Sequence, residues 1–269
     1  MKKKMTVCFC GLTVLFGLAV AVFMFAGRTR ALRFVSQMGP GINLGNTLDA
    51  TGLREYRPNA DDLEYETYWG NPKADAETFL AMKKAGFGTV RIPVTWEDHL
   101  DASYQISEVW MDRVQEVVDM ALAADLYVII DLHHEEWLDL RTERAQEIRT
   151  EFAVVWEQIA GRFRDYDETL LFEAMNEPRL RNSEVEWTSG TEELRTMVNE
   201  LNAVFVETVR SSGGGNRKRY LLICPYAGNS ETEAMQGLII PEDGRLIVSV
   251  HMYTPYSFCQ KEDGDKEWD

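Results

Sequence analysis

Six short apolar or β-branched runs, at residues 41–44, 89–93, 127–131, 170–176, 220–225 and 246–251, punctuate the chain. Most are separated by longer amphipathic stretches, and 74–85, 107–124, 142–164 and 192–210 carry helical periodicity. Several of these stretches end in Gly or Asp just before the next run. Strand followed by helix, repeated, is the pattern of βα units, whose strands pair in parallel. The runs are apolar throughout rather than alternating, as expected of strands covered on both faces. No low-complexity linker or internal repeat divides them. At 269 residues, 45% hydrophobic and 27% charged, the chain suits one large domain.

A doubly wound sheet and a (β/α)8 barrel share this alternation, and the position of the polar residues separates them. They collect at the C-terminal ends of the runs: Asn43 and Asn46, Arg91, His133 and His134, Asn176 and Glu177, His251 and Tyr253. Several strands contributing to one rim is the barrel arrangement. The segment "GINLGN" lacks the G-x-G-x-x-G spacing of a dinucleotide loop. The expected fold is therefore a (β/α)8 TIM barrel, with six of its eight units readable here.

Residues 1–31 differ from the rest. Lys2, Lys3 and Lys4 precede an apolar stretch of roughly 20 residues, and Thr29-Arg30-Ala31 follows as a small-x-small pattern. This reads as an export signal, either cleaved or retained as a membrane anchor, since that length spans a bilayer. Basic residues flank both sides, so the charge rule does not choose between the two forms. Residues 32–269 form the expected catalytic domain, working outside the cell or at its surface. Without residues 1–31, which hold five basic and no acidic residues, the net charge of −16 becomes −21. A surface so acidic repels a phosphate backbone, which argues against a nucleic-acid partner. Beyond the export segment only Cys224 and Cys259 remain, to pair or stay free; two cysteines make neither a disulfide framework nor a metal knuckle.

The run "LLFEAMNEPRL" ends in an amide, a carboxylate and a proline. A general acid needs a partly dry cleft in which desolvation raises its pKa toward the working pH. Glu177 at a strand tip meets that need, Pro178 favours an extended backbone before it, and Asn176 supplies a neutral hydrogen-bonding group. The alternative is that Asn-Glu-Pro merely ends a strand and caps the next segment.

The segments "GINLGNTLDA", "YWGNP", "FGTVRIPVTW", "IIDLHHE", "FEAMNEP" and "VSVHMYTPY" decide between these. Their order and spacing over residues 38–257 resemble glycoside hydrolase family 5, most closely its bacterial endo-β-1,4-glucanases. The resemblance implies retaining hydrolysis of a β-1,4-linked glucan with no cofactor. Glu177 would be the acid/base and Asn176 its neighbour at the sugar 2-hydroxyl. Arg91 would orient the nucleophile's carboxylate. His133 matches the family's site histidine. His134 is similar to a substrate contact, but strand alternation lets only one of the two point fully inward. His251 and Tyr253 match the family's H-x-Y, and Asn46 its rim asparagine; Ile42 stands where relatives often carry Trp. Mannan and xyloglucan remain alternative substrates, because subsite loops decide among them.

Three further expectations follow. Trp69, Trp96 and Trp137 lie in or beside rim segments and are candidate sugar platforms, whereas Trp110 and Trp156 fall in helical patterns and belong to the core. A metal cluster of Asp131, His133, His134, Glu135 and His251 lacks the H-E-x-x-H spacing and leaves Arg91, Asn176 and Glu177 unexplained, so no metal is expected. The family's nucleophile is a Glu at the tip of the seventh strand, and neither Glu262 nor Glu267 matches its motif. The seventh and eighth strands are expected beyond Asp269. Residues 32–269 alone are then expected to lack enzyme-like turnover, leaving an inactive carbohydrate-binding relic as the competing reading.

Overall fold

The computed structural model describes residues 31–264. The export segment expected over residues 1–31 lies outside these residues except for Ala31, and Glu267 lies outside them as well. Among the described residues no helix is long and apolar enough to cross a membrane.

Six parallel strands form one sheet in the order of the sequence: β1 (Gly41–Asn43), β2 (Thr89–Ile92), β3 (Tyr127–Asp131), β4 (Leu170–Glu173), β5 (Leu221–Ile223) and β6 (Leu246–Val248). A doubly wound sheet reverses its strand order at a switch point, and this one never does. It is six consecutive units of a (β/α)8 barrel. The strands stop one to three residues short of most apolar runs, because their C-terminal residues turn outward to form the rim. The helices come where the periodicity places them. α1 covers residues 31–38 and α2 Leu53–Tyr56. The long crossovers are α3 (Ala76–Lys84), α4 (Glu108–Ala123), α5 (Ala145–Arg162) and α6 (Glu192–Ser211), and two short helices follow, α7 (Thr232–Gln236) and α8 (Tyr256–Cys259).

Helix α4 shows how the pattern works: Trp110, Met111, Val114, Val117, Val118 and Ala121 form its buried stripe. Asp75 caps α3 through the Thr78 amide at 2.9 Å, and Thr191 caps α6 through that of Leu194 at 3.3 Å, each cap being worth about 1 kcal/mol. Trp110 and Trp156 are wholly buried, and their indole N–H groups donate to the carbonyls of Thr95 and Ala174. Arg219 is also fully buried, and among the described residues it forms no salt bridge. Its guanidinium donates to the carbonyls of Phe163, Tyr166, Asp167 and Leu170, which ties the loop after α5 to the start of β4.

Strand register sorts the side chains onto two faces. Val90, Ile92, Val128, Ile130, Leu170, Phe172, Leu221 and Ile223 face the helices and join the main core. The other face is layered. Its lower part is apolar, with Ile129, Leu171, Tyr220 and Leu222 packed beneath by Phe34 and Met38 at the end of α1. Phe34 stacks on Tyr220 with ring centroids 4.0 Å apart and meets the edge of Tyr127 at 5.4 Å. Gly88 lets this plug close, since a Cβ there would stand 2.2 Å from the Met38 carbonyl oxygen. Above the apolar layer the same face turns polar, with Arg91, Asp131 and Glu173 on neighbouring strands.

Candidate active site

The polar layer is built around Arg91. Its guanidinium lies 2.6 Å from Asp131 Oδ2 and 2.5 Å from Glu173 Oε2, and it donates to Asn176 Oδ1 at 3.1 Å. Burial works against its charge, but the two carboxylates outweigh that and raise its pKa. Burial likewise pushes Asp131 upward, yet the charges of Arg91 and His133 hold it at about 2. Asp131 also accepts from the Val94 amide at 3.0 Å, and Glu173 accepts from Ser249 Oγ at 2.7 Å. The sequence reading gave Arg91 to a nucleophile's carboxylate; among the described residues its partners are Asp131, Glu173 and Asn176. Glu173 and Ser249 were missed, although a carboxylate inside an otherwise apolar buried run is a signal in itself, because such a charge needs a partner.

Glu177 stands above this layer. Its φ of 40° is left-handed, so the extended backbone expected before Pro178 is not what the chain adopts. The rim over-determines the conformation: the Pro178 carbonyl accepts from the Ala227 amide at 2.8 Å, and Arg179 Nη1 donates to the Glu177 carbonyl at 2.9 Å. Such positions cost of order 1–3 kcal/mol and cluster at functional sites. Glu177 Oε1 lies 2.7 Å from His251 Nδ1. Gly228, at φ 62°, accepts the His251 amide proton at 2.7 Å, and a Cβ there would come 3.3 Å from the imidazole. The expected rise in the Glu177 pKa is not what these surroundings produce. Burial raises it, but the His251 hydrogen bond and nearby positive charge outweigh burial and lower it overall.

His133 Nδ1 lies 2.7 Å from Asp131 Oδ2. The alternation that was to separate His133 from His134 does not operate, because β3 ends at Asp131 and both histidines sit in the loop beyond it. Their rings pack edge to face with centroids 4.5 Å apart. Trp69, 38% exposed, meets His134 at 5.6 Å. Tyr253 packs edge-on to His251 at 6.2 Å. Asn46 is exposed in the turn after β1, at φ 56°.

Of the other rim tryptophans, Trp96 is wholly buried with its N–H on the Asp131 carbonyl, and Trp137 is buried with its N–H on Glu135; neither is a platform. Trp187 was missed. It is 60% exposed, holds Arg179 over its ring at 3.9 Å, and with Glu177, His251, Tyr253 and Tyr256 lines a cleft of about 700 Å³. Its position in a loop between β4 and α6 left no periodic signal.

The five residues weighed as a metal cluster do not converge. Asp131 is taken by Arg91, Val94 and His133, and His251 by Glu177. Glu135 accepts from the Trp96 amide and the Trp137 indole, while burial pushes its pKa up to about 8. The ligand atoms that do converge belong to Asp49, His133 and His134, within 4.8 Å of one another. Cys224 is buried and Cys259 exposed, and both are free thiols. Glu262 is exposed in the turn after α8.

The chain has known relatives. Endoglucanase A of Ruminococcus albus is 44% identical over 245 residues, covering 89% of this chain and 65% of its own length. Endoglucanase A of Clostridium longisporum is 42% identical over 235 residues, covering 87% of this chain and 45% of its own length. The chain thus spans about half to two thirds of these curated relatives. A crystal structure of a xyloglucan-specific endo-β-1,4-glucanase from a metagenomic library, in complex with cellotriose, superimposes with a TM-score of 0.81 at 42% identity, covering 86% of this chain and 68% of that one. A family model for cellulase (glycosyl hydrolase family 5) matches residues 53–269. On these matches, the chain belongs to glycosyl hydrolase family 5.

Proposed function

We propose that this chain carries the acid/base half of a retaining endo-acting glycosidase that cleaves β-1,4-linked glucan. The observation that carries the reading is Glu177, held at the mouth of a cleft by His251 directly above the Arg91–Asp131–Glu173 layer. In the reaction Glu177 protonates the departing glycosidic oxygen while a second carboxylate attacks the anomeric carbon. Glu177 then removes a proton from the water that releases the glycosyl-enzyme. The lowered pKa of Glu177 in the free cleft is compatible with this role. A second carboxylate about 5 Å away adds a like charge, which raises the acid toward its working range. Asn176, fixed by Arg91, is placed for a sugar hydroxyl, and His133, His134 and Tyr253 offer further hydrogen-bonding groups. Trp69 and Trp187 present flat faces on which the C–H faces of sugar rings stack.

The neighbour bound to cellotriose supports a β-1,4-glucan. Its own preference for xyloglucan keeps that branched glucan as the second reading. The decisive assay joins this chain to the seventh and eighth βα units of a relative and follows reducing ends released from a soluble β-glucan. Turnover with the product anomer retained is expected. Hydrolysis of mannan with no action on any β-glucan refutes the assignment. We further propose that residues 1–31 direct export, on the strength of the three lysines and the apolar run behind them. The native protein is then expected in the medium with an N-terminus near Leu32, or in the membrane fraction with Met1 intact. Recovery of the intact chain from the soluble cytoplasm overturns this.

A further inference from the structure

We propose that Asp49, His133 and His134 form a three-ligand site for a divalent transition-metal ion, of the Zn2+ or Cu2+ class, where the loops after β1 and β3 meet. Asp49 comes from the loop after β1 and the two histidines from the loop after β3, and their ligand atoms all lie within 4.8 Å of one another. A tetrahedral zinc site with bonds of about 2.1 Å separates its ligand atoms by about 3.4 Å, so small ring rotations close the gap. Two imidazoles and one carboxylate suit zinc or copper, whereas magnesium and calcium prefer all-oxygen shells.

The surroundings are arranged as a supporting shell. His133 Nδ1 is held at 2.7 Å by Asp131, which is itself fixed by Arg91 and the Val94 amide, leaving Nε2 for a cation. A carboxylate that orients a ligating histidine in this way raises its basicity and fixes its tautomer. Asp49 is buried, and its Oδ1 accepts from the Thr47 amide at 2.7 Å, leaving Oδ2 for the ion. Thr95 couples the other two loops: its hydroxyl donates to the Asp49 carbonyl at 3.0 Å and accepts from the His134 amide at 3.3 Å. Three protein ligands leave one coordination position of a tetrahedral ion open. An ion there occupies the histidines assigned above to the sugar, so it competes with glucan; this clause alone rests on the proposed function.

The test is calorimetric titration of the full chain with Zn2+, in a background carrying Cys8→Ser, Cys10→Ser and Cys259→Ser to remove competing thiols. One equivalent of Zn2+ is expected, with Mg2+ giving no binding. Asp49→Asn and His134→Ala, each checked for an unchanged melting curve, are expected to weaken binding at least as much as the roughly 10- to 100-fold that loss of an outer-shell partner costs. Zn2+ affinity unchanged in both variants, or displacement of Zn2+ by Mg2+, overturns the site. In the extended enzyme, Zn2+ is expected to raise KM and leave kcat unchanged. Site-dependent binding without such competition supports the cation site and counts against the sugar placement.

Discussion

Glu177→Gln is expected to lower kcat on a soluble β-1,4-glucan by about 10² to 10⁴-fold, measured in the chain extended with the last two barrel units of a relative. Glutamine keeps the shape and hydrogen-bonding reach of the side chain but cannot deliver a proton to the leaving oxygen. KM should move little, because the loss falls on the transition state. A merely structural role is separated by a second substrate. An aryl glycoside whose phenolate leaves without protonation should break its glycosidic bond in the variant nearly as fast as in the parent. Equal loss on both substrates, or full activity on glucan, refutes the assignment of Glu177 as the acid.

Arg91→Met is expected to destabilise the chain by about 3–5 kcal/mol, read as a lowered urea midpoint. The substitution removes the only cation hydrogen-bonded to Glu173 among the described residues and the main positive charge beside Asp131. Both carboxylates are buried, and a buried charge left alone is expensive. Arg91→Lys should rescue little, since one ammonium cannot reproduce a fork that reaches Asp131, Glu173 and Asn176 together. Adding Glu173→Gln to Arg91→Met should recover part of the loss, because it withdraws one of the stranded charges. A midpoint shift equivalent to less than about 1 kcal/mol, the range of an exposed ion pair, refutes this account of the polar layer.

The contrast between Glu177 and Glu173 shows what the sequence conveys. Alternating strand and helix patterns place all six strands and the four long crossovers, because burial on both faces writes itself as continuous apolar runs. Glu177 was legible because it ends such a run beside a proline. Glu173, four residues earlier in the same run, was not, because its meaning lies in Arg91, which is 82 positions away and two strands across. Backbone conformation at the rim was also hidden. Proline biases the residue before it toward extended geometry, yet contacts to Arg179 and Ala227 hold Glu177 at positive φ. The fate of Trp96 and Trp137 was equally unreadable, since one strand tip directs an indole into the cleft and another into the core. Trp187 and Asp49 lie in loops without periodicity, so only the folded chain brings the one to the cleft and the other beside His133 and His134.

The stack of Phe34 on Tyr220 seals the end of the sheet opposite Glu177. Residue 31, packed against this stack, therefore lies on the far side from the cleft. Fixed to a bead, an electrode or a scaffold protein by that end, the molecule would hold its open mouth outward, free to meet a polymer too large to approach from below.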